Sequence, residues 1–374
     1  MKTLIENGVL ITPREERRGW LLVEGPRIAA LGDGPPPRAD RRIDAAGRFV
    51  APGFIDLHVQ GFRGCDLWDA SDEVFLRATR GLASSGVTAC QASVDPTEEV
   101  CRIMRPRVGR AGGGTRVVGL YFESPFISLG KRGAIPPDRV RPASPDLARQ
   151  ILERSRGMLS MITLAPEQPG ALALIPLFRA TPGPAAPVVV ALGHSSATFD
   201  QAAAGIEAGI THCTHLYNCM VGLGHREPGA VGALLARPEV SVEIVCDGVH
   251  VHPAAVRVAV AAKGVGRTCL ITDVVSARNR RVVDGAPRLA DGTIAGSILT
   301  MDRAVANVQR FAGVTLREAV EMATLTPARV IGLDRTKGAL APGHDADIVL
   351  FDRDVNVAAT LIAGEVVGQG ADIE

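Results

Sequence analysis

The feature that most limits what this chain can become is a rhythm between residues 51 and 334, where short apolar runs alternate with helix-like segments rich in Ala, Leu, Arg and Glu. Eight runs keep it: Phe54 to Leu57, Thr88 to Ala92, Val117 to Phe122, Met161 to Leu164, Val188 to Leu192, Thr211 to Thr214, Val242 to Cys246 and Cys269 to Thr272. Short apolar runs suit strands buried on both faces, and strands separated by helices run parallel. Eight such units are the number that closes a (β/α)8 barrel, a TIM-like α/β fold whose chemistry sits on the loops after its strands.

The two ends of the chain read differently. Residues 1–50 hold β-type runs (Val9 to Thr12, Trp20 to Val23, Arg27 to Leu31) broken by Gly and Pro, and residues 335–374 hold two more, Ala346 to Phe351 and Val355 to Ile362. Neither end has enough strands for a stable sheet alone, so the two are expected to combine into one small β-sandwich domain beside a catalytic barrel spanning 51–334.

The residues just past the apolar runs carry the chemistry. His58 and Gln60 come after the first, Glu123 after the third, His194 after the fifth, His215 after the sixth, Asp247 and His250 after the seventh, and Asp273 after the eighth. A lone histidine at a strand end is more often just a hydrogen-bonded polar group. Several at equivalent places reverse that reading, because all would face one mouth of the barrel. Glu123, His194 and His215 offer one carboxylate and two imidazoles, which leaves a coordination position open for water, as in a catalytic zinc or iron centre. A metal so held lowers the pKa of its water from about 15.7 toward about 7 and polarises a carbonyl. Asp273 is placed to take the proton from that water and hand it to a leaving amine, its simpler alternative being a helix N-cap.

Composition removes other classes. Lys and Arg number 41 against 40 Asp and Glu, so no net field draws the chain to nucleic acid or to an acidic membrane surface. No apolar run approaches the roughly 18 to 20 residues of a membrane span, and Glu6 and Asn7 interrupt the N-terminal apolar residues, so a cytoplasmic protein is expected. The seven cysteines are odd in number and form no CxxC pair, which fits reduced thiols. Cys65 and Cys219 fall in expected loops, leaving a thiol nucleophile open although no base stands beside either. The triple glycine at 112–114 lacks the Lys-Ser/Thr of a nucleotide-binding P-loop.

The motifs that accompany these residues are PGFIDLHVQG (52–61), GLYFESPFI (119–127), LGHSSA (192–197), THLYNCM (214–220), HREPGAVGA (225–233), DGVHVHP (247–253), LITDVVSA (270–277) and DGTIAGSILTM (291–301). Together they resemble the amidohydrolase superfamily and, within it, the N-acetylglucosamine-6-phosphate deacetylase family. The resemblance implies a homodimer with one divalent ion per subunit, Zn2+ or Fe2+, that removes acetate from N-acetylglucosamine 6-phosphate with metal-activated water as the nucleophile. Carried over by position, it implies Glu123, His194 and His215 as metal ligands and Asp273 as general base and acid. It implies His250 as a substrate contact, and Asn218, Cys219 and Arg226 as the holders of the sugar phosphate. His225 and His252 keep structural readings.

Four positions depart from the family pattern. Gln60 stands where a second histidine is usual, so a second ion would rest on His58 with a bridging Glu123 and bind weakly. Ser124 replaces a glycine and Cys219 an alanine, both small changes. Ile135 occupies the place of a histidine thought to polarise the substrate carbonyl, and losing one such donor costs on the order of 100- to 1000-fold in turnover. Three accounts stay open: the metal polarises the carbonyl alone, Lys131 or Arg132 serves instead, or the chain is a related amidohydrolase acting on a different N-acyl or cyclic amide. A non-catalytic barrel is a further reading, against which the complete ligand set stands.

Overall fold

The computed structural model describes residues 1–110 and 112–369. Its larger body is a sheet of eight parallel strands in chain order: Phe54–Val59, Val87–Ser93, Arg116–Phe122, Leu159–Leu164, Val189–Leu192, His212–Cys213, Ser241–Val245 and Thr268–Ile271. Each predicted run overlaps one of these strands, with ends that differ by at most two residues. The strands are buried along most of their length, as the unbroken apolar runs require. Several of the helices between them start on side-chain caps. Ser71 accepts from the Val74 amide ahead of Asp72–Ala83, and Thr198 with Gln201 forms a full capping box ahead of Phe199–Ala208.

The barrel closes between its eighth and first strands with little ladder. The seam is held by a single parallel bridge between Val59 and Val274, by the Gln60 amide donating to the Val274 carbonyl at 2.9 Å, and by the Thr272 hydroxyl donating to Asp56 at 2.5 Å. Burial pushes the Asp56 carboxyl up to about 7, against the pull of the bonds from Thr272 and His58.

Both termini build the second sheet, also of eight strands. Phe49–Pro52 pairs antiparallel with Ile348–Phe351, which joins the two ends of the chain. Alternation along that joint decides the packing. Ile348 and Leu350 face the small sheet's own core with Ile5, Leu21 and Ile28, while Val349 and Phe351 pack into the barrel core. Among the described residues, no helix is long and apolar enough to cross a membrane.

Several short strands were not read from the sequence, and one pair of them borders the site. After the eighth barrel strand the chain forms a hairpin, Arg281–Val283 against Ala286–Arg288, turned by Asp284 and Gly285 with φ of 50° and 81°. An Asp-Gly pair with both residues at positive φ is the usual two-residue hairpin turn.

Candidate metal centre and its cavity

Glu123, His194 and His215 reach one point from the ends of the third, fifth and sixth barrel strands. Glu123 Oε1 lies 2.8 Å from His194 Nε2 and 2.8 Å from His215 Nε2, and the two nitrogens are 3.1 Å apart. All three ligand atoms sit within 4.8 Å of one another.

The wiring behind them tests whether a cation fits. His194 Nδ1 lies 2.7 Å from the Lys131 carbonyl, which can only accept, so Nδ1 carries the hydrogen and Nε2 of the neutral ring turns its lone pair toward Glu123. Lone pairs this close repel unless positive charge stands among them. A divalent ion supplies it, and the backbone bond behind His194 is the usual way a ligand imidazole is fixed. The same crowding acts on protons: burial opposes charge on His194, but its contacts with Cys219 and Glu123 hold the imidazole up at about 10. Burial likewise opposes ionisation of Glu123, yet His58 and the bonds from His194 and His215 hold its carboxyl well below the usual range.

Backbone conformation marks the same places. His194, His215 and Asp273, each just past a barrel strand, have φ of 47°, 25° and 49°. Left-handed backbone in residues other than glycine is uncommon and concentrates at functional sites. Along 215–219, His215, Tyr217 and Cys219 all have positive φ, a pattern able to turn successive N–H groups toward one side. Glu167 braces the loop after His194, accepting from Ser195 Oγ at 2.7 Å and from the Ser196 amide at 2.6 Å.

Asp273 stands across from the triad and caps no helix. Gln60 Nε2 donates to its Oδ1 at 3.3 Å, and His58 Nε2 approaches the same oxygen at 3.5 Å and Glu123 Oε2 at 3.6 Å. His58 is wholly buried and its Nε2 has no hydrogen-bond partner. On its other side, Nδ1 faces Glu243 at 3.4 Å.

These groups open into a cavity of about 580 Å³ lined by Glu123, His194, His215, Asp273, Gln60, His250, Asn218, Cys219 and Ile135, among others. His250 has Nδ1 on Asp247 at 2.6 Å and an unpartnered Nε2. Asn218 bonds back to the carbonyls of His215 and Leu216. Lys131 donates to the Met220 carbonyl at 3.2 Å and Arg132 to the Ile135 carbonyl at 2.7 Å, so both cationic heads are engaged with backbone. Arg226 is exposed and does not line this cavity. Arg278 and Arg280, beside the hairpin, do line it, and sequence reasoning missed them. So did it miss Glu243 and Glu167, although an acid inside the apolar run Ser241–Val245 was a visible signal. All seven cysteines are free thiols, six of them buried, with Cys219 half-buried at the cavity wall. His252 accepts from the Ala254 amide and caps the helix Pro253–Lys263.

The same architecture has counterparts among known proteins. The amidohydrolase family matches residues 49–367. An N-acetylglucosamine-6-phosphate deacetylase of Lysinibacillus sphaericus is 31% identical, the match covering 94% of each chain. An N-acetylgalactosamine-6-phosphate deacetylase of Escherichia coli O157:H7 is 35% identical over 93% of this chain and 95% of that one. Among solved structures, a Mycobacterium smegmatis N-acetyl-D-glucosamine-6-phosphate deacetylase variant in complex with N-acetyl-D-glucosamine 6-phosphate matches with a TM-score of 0.86 at 34% identity, covering 98% of this chain and 99% of that one.

Proposed function

The chain belongs to the amidohydrolase family, and from that premise we propose that it is a metal-dependent deacetylase of N-acetylglucosamine 6-phosphate, yielding acetate and glucosamine 6-phosphate. The observation that carries this reading is the meeting of Glu123, His194 and His215 on one side of a cavity whose other side holds Asp273. Zinc or ferrous iron suits two imidazoles and a carboxylate. When bound, such an ion supplies Lewis acidity, activating water and polarising the amide oxygen.

The residues of the chain account for the rest. Asp273 takes the proton of the attacking water at its carboxylate and returns it to the nitrogen of the leaving amine, so one carboxyl serves as base and then acid. Gln60 holds Asp273 through Oδ1, leaving the second oxygen for that proton. His250, steadied by Asp247, offers Nε2 to a sugar hydroxyl. A second ion would rest on His58 Nε2 and Glu123 Oε2, with Gln60 a poor third ligand, so one ion per subunit is the working stoichiometry.

For the phosphate the reading keeps the turn at Asn218 and Cys219. Arg226, outside the cavity of its own chain, joins them only if another subunit's cavity lies within its reach. Within one chain the cations on the cavity wall are Arg278 and Arg280. Free thiols and the absence, among the described residues, of a membrane-length apolar helix support a cytoplasmic setting.

The test is acetate release from N-acetylglucosamine 6-phosphate compared with the unphosphorylated sugar. Release from the phosphate alone is expected. Failure with both sugars would favour the second reading, a related amidohydrolase for another N-acyl or cyclic amide, which rests on the apolar Ile135 in the cavity wall.

A further inference from the structure

Glu243 lies on the seventh barrel strand, wholly buried, and no step above uses it. Barrel interiors are ordinarily filled with branched apolar side chains, and a buried carboxylate is tolerated only where donors surround it. Here three do. Glu243 Oε2 accepts from the His215 amide at 3.1 Å and faces His58 Nδ1 at 3.4 Å, while Oε1 lies 3.3 Å from His212 Nε2. The outer nitrogen of His212 meets Ser241 Oγ at 2.7 Å. The Glu243 carbonyl also accepts from the Leu216 amide at 2.9 Å, so one residue grips two consecutive amides of the turn that carries a metal ligand.

We propose that Glu243 is a positioning residue: through a single carboxylate oxygen it sets the peptide of His215 and the ring of His58 together. His215 bends away from its strand at a φ of 25°, and the bond from its amide to Glu243 holds that bend. With Nδ1 of His58 turned to Glu243, Nε2 is directed between Glu123 and Asp273, 3.6 Å and 3.5 Å away. Ligand and base are thereby kept in register by a group that touches neither ion nor substrate. The inference rests on the metal reading of the site and not on which amide is cleaved.

The experiment uses the full chain loaded with Co2+ as a spectroscopic probe. Glu243→Gln keeps the volume but places an amide N–H2 against His N–H donors. Metal retention against a chelator is expected to weaken about 10- to 100-fold, the range seen when partners behind metal ligands are removed. The visible cobalt spectrum is expected to shift, and kcat to fall with KM within about twofold. Gln91→Leu removes a different buried polar pair of the barrel, Gln91 Nε2 to Ser160 Oγ at 2.7 Å, and breaks no bond to Glu243, His215 or His58, so its spectrum and retention are expected to match wild type. A wild-type cobalt spectrum and retention in Glu243→Gln overturns the proposal, as does an equal shift in Gln91→Leu. Should Glu243→Gln fail to fold, Glu243→Asp retracts the same charge by one methylene and is judged by the same two readouts. These need no substrate, so they stand or fall separately from acetate release.

Discussion

The floor and the mouth of the cavity are built in opposite ways. At the floor, Glu123, His194, His215 and Asp273 stand at the ends of barrel strands, with side chains no more than 15% exposed and each answered by a named partner. At the mouth, the residues come from two long connections, the loop carrying Ile135 and the segment around the hairpin. Arg278 there is 59% exposed and meets Asp69 only at 3.7 Å. Under the proposed function, rigid strands would hold the groups that break a bond and the longer connections those that select a molecule, a division that lets one barrel serve many substrates. Changes at the floor should accordingly move kcat, and changes at the mouth should move KM.

Five measurements strain this division. Stripping the ion with a chelator should abolish turnover, and zinc, ferrous iron or cobalt should restore it; turnover in a sample shown by elemental analysis to be metal-free would end the floor's assignment. Asp273→Asn should lower kcat about 100- to 10,000-fold with metal content unchanged. Near-normal kcat in that variant would remove Asp273 from proton transfer. Ile135→His crosses the division, because it installs a donor at the mouth: turnover should rise, by no more than the roughly 100- to 1000-fold one such donor provides. No gain would mean that the carbonyl is already polarised from the floor. Arg280→Ala should raise KM for the phosphorylated substrate about tenfold at constant kcat, the scale of one charge-assisted bond. A fall in kcat instead would place Arg280 nearer the chemistry than its position suggests.

The smallest effect concerns pH. In the metal-free protein, His194 is held at about 10, above its ordinary 6.5, so its contribution to stability is complete below pH 6.5 and is lost as pH rises through about 10. A bound ion replaces that proton. The gap in Tm between loaded and stripped protein should therefore widen from pH 6.5 to 10, and a constant gap would show that His194 is not a ligand.

The floor was legible in the sequence because strand ends have fixed register: a histidine or acid just past an apolar run must reach the barrel mouth. His58, Glu123, His194, His215 and Asp273 all gather where that rule sends them. The mouth was not, since the direction of a side chain on a long connection depends on turns that spacing does not reveal. Arg226 sits in a promising motif yet lies outside the cavity, whereas Arg278 and Arg280, in no motif, lie within its wall. Lys131 was weighed for its charge, while its main-chain oxygen is what orients His194. Glu243 escaped a reading confined to the residues past each strand, although a lone acid among apolar neighbours was the signal.

Strand Ile348–Phe351 is shared property. Because its alternate side chains complete two different cores, neither body can come apart while the other stays whole, and the protein should melt in one calorimetric transition. A nick or deletion near the carboxyl end, more than a hundred residues from His215, would then be felt at the catalytic centre as surely as a change beside it.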